Sequence, residues 1–273
     1  MTGRDWLQSA QEALPQLARF DLEHLLAQRM GTNRAHLLAH LDDALPMDTA
    51  AQLAEDQAHL AARVPLQYVL GEAWFFGEPF EVNAHVLIPR FDTEYLVQAV
   101  LDRVAVENAH VLDLCTGSGI IAITLRRQRA DWQLFASDLS PEALAVAQRN
   151  GARLNAAVEW RQGDLFAPWP AQRFDAIVSN PPYISFDEYQ TLAPEVRREP
   201  EMALLAEHDG LIFYERLTQE AADHLVPGGW LAVEIGWQQG AAVTALFNKH
   251  GYKEVACLAD GQGHDRVVVG HIL

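Results

Sequence analysis

Four consecutive residues, Asn180-Pro181-Pro182-Tyr183, bring together an amide side chain, two rigid imino acids and an aromatic ring. They follow Phe174-Asp175-Ala176-Ile177-Val178-Ser179, an apolar run of strand length, and so open the loop at a strand's end. Each proline fixes φ and removes a backbone donor, which leaves carbonyls with no local N–H to pair with. The prolines also keep Asn180 and Pro181 out of helical geometry. Such a stiff turn can grip a planar NH2 group, with oxygens accepting its two hydrogens and the ring covering its face. The plain alternative is that the prolines only end a strand and Tyr183 only packs.

A second constellation lies upstream. Val111-Leu112-Asp113-Leu114-Cys115-Thr116-Gly117-Ser118-Gly119 reads as a strand running into a glycine turn, with a helix following. Glycines there let the backbone approach a ligand, and the helix start supplies oriented N–H groups. Asp138, 21 residues after Gly117, ends the next strand and can accept hydrogen bonds from ribose hydroxyls. Its bland role is to cap the helix at Ser140, and the two roles are compatible. Gly117-Ser118-Gly119-Ile120-Ile121-Ala122 also fits the G-x-G-x-x-A dinucleotide pattern, so the loop alone leaves a dehydrogenase open. The proline turn decides against it, because hydride transfer has no use for a rigid amide-gripping corner and methylation of a nitrogen does. Gly163-Asp164-Leu165-Phe166 follows the third strand, with Asp164 as acceptor and Leu165 as apolar contact to an adenine ring, or is an ordinary turn.

The elements that must position these residues follow from pattern. Alternation of strands and helices from His110 onward predicts a doubly wound, mostly parallel α/β sheet. Strands are expected at 110–114, 133–137, 157–161, 174–179 and 230–235, and helices at 119–129, 140–150, 211–225 and 238–250. Residues 252–258 and 266–272 flank a turn and are expected to pair antiparallel. Ser140-Pro141 is a helix start, Gly151 and Gly251 read as caps, and Asp92 reads as the cap of a helix through Leu96 and Val100. Leucines and alanines at helical spacing predict a helical bundle over residues 1–64, with Thr32 and Asp48 opening two of its helices. Aromatics around Gly77 and Pro79 predict a β-hairpin linker over 65–90. The third domain is then 91–273.

Composition bounds the partners. The 273 residues are 49% hydrophobic with a formal charge of −17, from 20 Lys and Arg against 37 Asp and Glu. That balance opposes indiscriminate nucleic-acid binding, which needs a cationic surface, and suits a basic partner. No apolar stretch approaches the length of a membrane span, and the first residues lack a signal-peptide core. Two distant cysteines, Cys115 and Cys257, make a cytoplasmic setting the default. No zinc-spaced cysteine set is found, and no metal is expected.

Taken together, these residues resemble the glutamine methyltransferases of bacterial release factors, the HemK family, over nearly the whole chain. Pro65-Leu66-Gln67-Tyr68-Val69-Leu70-Gly71-Glu72 and Leu87-Ile88-Pro89-Arg90 resemble that family's linker. The glycine loop, Asp138-Leu139-Ser140-Pro141 and Asn150 resemble its cofactor half, and Asn180-Pro181-Pro182-Tyr183 its substrate motif. Glu199-Pro200, Ala203-Leu204, Asp209-Gly210 and Asp265-Arg266-Val267 resemble its later segments. Two positions depart: Cys115 stands where Gly is usual, and Phe91 where Pro is common. Cys115 is shared with sister enzymes that methylate a ribosomal protein glutamine.

The resemblance implies a class I, Rossmann-like methyltransferase with a seven-stranded sheet. It implies S-adenosylmethionine as cofactor, bound by Cys115, Thr116, Gly117, Ser118, Gly119, Asp138, Leu165 and Asn180. It implies peptide chain release factors as protein partners, methylated on the Gly-Gly-Gln glutamine, with the helical domain holding the partner. Asn180, Pro181, Pro182 and Tyr183 would bind that glutamine, with Asn180, Pro181 and Tyr183 carrying the catalysis. The same reaction on a ribosomal protein, methylation of adenine in DNA or RNA, and a non-enzymatic binding module are the alternatives.

Overall fold

A computed structural model describes all 273 residues, which form two compact units. The first comprises Met1–Glu72 together with Ala193–Arg198, and the second Ala73–Leu192 with Glu199–Leu273. The first unit is helical: α1 (Gly3–Ala13), α2 (Arg19–Arg29), α3 (Arg34–Ala39), α4 (Met47–Ala61) and α5 (Leu66–Leu70). Thr2 opens α1 with a capping box, its hydroxyl accepting the Asp5 N–H while the Asp5 carboxylate accepts the Thr2 N–H. Leu7 and Ala10 from α1, Leu14 just after it, and Leu22, Leu25 and Leu26 from α2 make a buried core at helical spacing. One ion pair is nearly enclosed: Arg29 Nε donates to Asp56 at 2.7 Å and its Nη2 to the Val69 carbonyl at 2.6 Å, tying α2 to α4 and α5. Two expected helix starts shift: Asn33, not Thr32, caps α3, and α4 begins at Met47, with Asp48 inside its first turn. The segment Leu66–Leu70, expected within the hairpin linker, is instead helix α5.

The second unit opens with the hairpin β1 (Glu72–Phe75) and β2 (Glu78–Glu81), then α6 (Thr93–Arg103). Five parallel strands follow: β3 (His110–Leu114), β4 (Gln133–Asp138), β5 (Val158–Gln162), β6 (Phe174–Ser179) and β7 (Leu225–Glu234). Their connecting helices are α7 (Ile120–Gln128), α8 (Pro141–Arg153), α9 (Phe186–Thr191), α10 (Glu207–Gly210) and α11 (Ile212–His224). After α12 (Gly240–Lys249), strands β8 (Lys253–Ala259) and β9 (Asp265–His271) form the closing antiparallel pair. The order is β5-β4-β3-β6-β7-β9-β8, with β9 antiparallel to both neighbours. This is the expected doubly wound, mostly parallel seven-stranded sheet.

Strand side chains alternate between two cores. Val111, Ala176, Val178 and Ala232 join Leu96, Val97 and Val100 of α6 on one face. Leu112, Ile177, Leu231 and Val233 join Tyr214 and Leu217 of α11 on the other. Three local expectations are corrected. Gly151 does not cap α8 but lies inside it, where a Cβ would stand 3.2 Å from the Trp160 ring. Asp92 makes no capping bond and pairs with Arg266 at 3.2 Å. Strand β7 starts at Leu225 rather than 230, and its register against β6 shifts across Pro227-Gly228-Gly229.

Candidate active site

Strand order reverses between β3 and β6, and the crevice outside their carboxyl ends is where α/β sheets take ligands. A cleft of about 960 Å³, its open mouth included, occupies that position. Ser179 Oγ donates to the Leu114 carbonyl at 2.8 Å and ties the two strand ends together. Of the residues expected from sequence, Cys115, Thr116, Gly117, Ser118, Asp138, Leu165, Asn180 and Pro182 line the cleft. Gly119, Pro181 and Tyr183 do not.

Gly119 lies behind the turn at the start of α7. With φ at 84°, it sits where an added Cβ would meet Ile123 Cδ1 at 2.9 Å and Ala147 and Trp160 at 3.1 Å. Gly119→Ala therefore combines a disfavoured backbone with a steric clash. It should lower stability by about 1–3 kcal/mol, read by denaturant titration. Cys115, with φ at 58°, also adopts the left-handed conformation, which a glycine would take without the Cβ penalty. Burial pushes its thiol pKa up, so it has no thiolate character.

The turn is held by two carboxylates. Asp138 Oδ2 accepts the Gly117 N–H at 2.8 Å and its Oδ1 the Ser140 N–H at 2.9 Å. Ser140 in turn caps α8 by accepting the Ala143 N–H. Burial raises the Asp138 pKa, opposed by the N–H groups of Ser140, Gly117 and Leu139. Asp113 is fully buried. Its Oδ2 accepts from Thr116 Oγ1 at 2.5 Å and from the Ala122 N–H at 3.2 Å, while Oδ1 has no partner. Burial pushes its pKa up to about 7.

A proton is thus held by folded Asp113 between roughly pH 4 and 7, where the unfolded side chain has lost it. The stabilisation from that proton is fullest below about pH 4 and declines as pH rises toward 7. Raising the pH from 5 to 8 should therefore erode wild-type stability relative to Asp113→Asn, by on the order of 2–3 kcal/mol. Unfolding titrations of both proteins at the two pH values check this.

Asn180 stands at the end of β6, half-buried, and its Nδ2 donates to Thr93 Oγ1 at 3.2 Å. Pro181 is buried, and the Tyr183 ring packs on the apolar cluster of the α11 face rather than forming a cleft wall. Its backbone is pinned: Gln239 Nε2 donates to the Tyr183 carbonyl at 3.1 Å. Gly210, at φ 84°, passes so close to that carbonyl that any Cβ would collide with it. Asp164 also lines the cleft, beside Leu165, and its carboxylate pairs with Arg216 at 2.8 Å.

Sequence reasoning gave no role to several residues here. Glu199, almost fully buried, accepts the Ile88 N–H at 2.9 Å and Arg90 Nη2 at 2.5 Å. It thereby clasps the segment 86–90, which lines one side of the cleft, to the chain running into Pro200 and Met202 on another. Thr93 and Glu234 belong to no motif of their own, although a carboxylate closing the apolar run Trp230-Leu231-Ala232-Val233 is a visible signal.

Known proteins resemble this chain in sequence and in fold. Residues 90–197 match the Methyltransferase small domain and residues 5–71 the PrmC N-terminal domain. The Release factor glutamine methyltransferase of Cereibacter sphaeroides is 46% identical over 91% of this chain and 89% of its own. The protein of that name from Geobacter sulfurreducens is 43% identical over 93% and 90%, and that from Neisseria gonorrhoeae 40% over 99% and 97%. In fold, the chain is similar to a methyltransferase from Pyrococcus furiosus, with TM-score 0.56 and 21% identity over 82% of this chain and 98% of that one. It is also similar to the hMettl16 catalytic domain, with TM-score 0.60 and 14% identity over 81% and 82%. With identities of this size over nearly its full length, the chain belongs to the release factor glutamine methyltransferase family and is an enzyme of the methyltransferase class.

Proposed function

We propose that this enzyme methylates the side-chain amide nitrogen of the glutamine in the Gly-Gly-Gln motif of peptide chain release factors, using S-adenosylmethionine. The observation that carries the reading is the state of Asn180. It lines the cleft, and its nitrogen is engaged by Thr93, which leaves its oxygen as a free acceptor. The residues present fit the cofactor. Asp138 retains acceptor capacity at the cleft beyond the two N–H groups it holds, the loop 115–118 lines the same wall, and Leu165 adds an apolar surface. When bound, S-adenosylmethionine supplies a methyl group made electrophilic by its sulfonium.

The protein's task is to present a poor nucleophile. A carboxamide nitrogen shares its lone pair with the adjacent carbonyl. Asn180 Oδ1 and the Pro181 carbonyl accept its two hydrogens, orient the nitrogen and favour its pyramidalisation. Confinement of this kind supplies several kcal/mol, up to about 7–11 in ideal cases. No side chain is assigned as a general base, since the methylated amide is acidic enough to lose its proton to water. Pro182 stiffens the corner, and Tyr183 supports it from the core side. The acidic surface suits a basic protein partner in the cytoplasm, with the helical unit as a docking module. The test is transfer of labelled methyl to purified release factor, with mass spectrometry locating one added methyl on the Gly-Gly-Gln glutamine. Transfer only to a ribosomal protein or to nucleic acid would overturn the assignment.

A further inference from the structure

The side chain of asparagine is nearly symmetric in shape and opposite in chemistry at its two ends: an oxygen accepts and an NH2 group donates. A corner that grips a substrate NH2 works only with the oxygen outward. Turned over, Asn180 would set its own NH2 against the NH2 of the substrate. Something must therefore decide which way the amide faces.

The strand register shows what stands behind it. Ser179 of β6 pairs with Val233 of β7 in parallel, so the next residues, Asn180 just past β6 and Glu234 at the end of β7, stand side by side. Both continue the alternation of Ala176, Val178 and Ala232, whose side chains meet α6. Thr93, buried at the first turn of α6, accepts the Asn180 Nδ2–H there. Glu234 is fully buried, and its Oε2 has no partner. The groups facing it are Thr93 and Asp92 from α6 and its entry, Asn180 and Tyr183 from the proline turn, Arg266 from β9 and Tyr214 from α11. Arg266 pairs through Nη2 with Asp260 and Asp92, at 3.0 and 3.2 Å, while its buried Nε has no partner. Tyr214 donates to the Glu234 backbone carbonyl, not to its carboxylate. Burial pushes the Glu234 carboxyl up to about 7, and hydrogen bonding from Thr93, the Arg266 charge and hydrogen bonding from Asn180 pull it down.

We propose that Glu234, with Thr93, is a positioning residue that sets the polarity of the Asn180 amide, holding its NH2 group so that its oxygen faces the cleft. An ionised carboxylate offers only acceptors, so it accepts the asparagine NH2 and repels the oxygen. The proposal rests on the reading that Asn180 receives the substrate amide, and it adds the device that keeps Asn180 competent to do so.

The test uses the full-length enzyme and a release-factor fragment carrying Gly-Gly-Gln. Glu234→Gln and Thr93→Val should each lower kcat about tenfold, with the Kd for S-adenosylmethionine unchanged by calorimetry. Asn180→Asp should lower kcat by at least a hundredfold, since it sets two carboxyl groups side by side. Adding Glu234→Gln to Asn180→Asp restores a donor–acceptor pair with its direction reversed and leaves an oxygen facing the cleft. That double variant should recover at least tenfold over Asn180→Asp, a non-additivity that a purely structural role does not produce. Wild-type kcat in Glu234→Gln, or a double variant no faster than Asn180→Asp, overturns the proposal. Should Glu234→Gln fail to fold, as shown by its thermal transition, Thr93→Val decides: a lowered kcat supports the anchor and an unchanged one overturns it. Full activity of Asn180→Ala would instead defeat the underlying reading of Asn180, so the two failures are distinct.

Discussion

Asn180→Ala should lose about 10²–10³ in turnover on a release-factor fragment while the affinity for S-adenosylmethionine changes far less. The size follows from what a fixed hydrogen-bond acceptor contributes when its bond strengthens as charge develops on the reacting nitrogen; preorganised donors and acceptors at reacting atoms are worth that much. The separation of the two effects follows from geometry. The Asn180 nitrogen is spent on Thr93, and in the proposed reading the cofactor rests mainly on 115–118 and Asp138, which line the same cleft. A single-turnover methylation assay beside a calorimetric titration reads both quantities. A variant that methylates at the normal rate would remove Asn180 from the reaction, and with it the reading of the proline corner.

Asp138→Ala should show the opposite pattern, a Kd for S-adenosylmethionine raised about 10- to 100-fold and a smaller change in kcat at saturation. Hydrogen bonds to an ionised carboxylate are each worth roughly 1.5–3 kcal/mol. Asp138 accepts from the backbone at Gly117 and Ser140, so its loss also loosens the glycine turn and the start of α8. Asp138→Asn separates these contributions. It keeps the size of the side chain and one acceptor, and should recover part of the turn's order but not the charge-assisted bonds. An unchanged titration for both variants would leave Asp138 with the capping role alone.

What was legible in the sequence is what local pattern encodes. The parallel strands, the glycine turn at Gly117 and Gly119, the cap at Ser140 and the proline corner all announce themselves within a few residues. Where expectation and structure part, a distant partner intervenes. Asp92 has the chemistry of a cap but is drawn to Arg266, far along the chain. Gly151 looks like a terminator, yet it answers to the Trp160 ring that packs across α8. Tyr183 reads as part of the cleft wall, but its ring finds more apolar surface in the core beside Tyr214. Thr93 and Glu234 meet Asn180 only because β6 and β7 share a register and α6 crosses that face. No spacing within one segment discloses such a meeting.

The passage of Ala193–Arg198 into the first unit bears on how this polypeptide can be divided. Glu195 pairs there with Arg63 at 2.7 Å, and Arg198 donates to the Ala62 carbonyl at 2.9 Å. The backbone consequently changes allegiance three times, near Glu72, Leu192 and Arg198, rather than once. No single scission separates the two bodies: a truncation starting at Ala73 strands a hexapeptide whose acid and base have lost their counterparts.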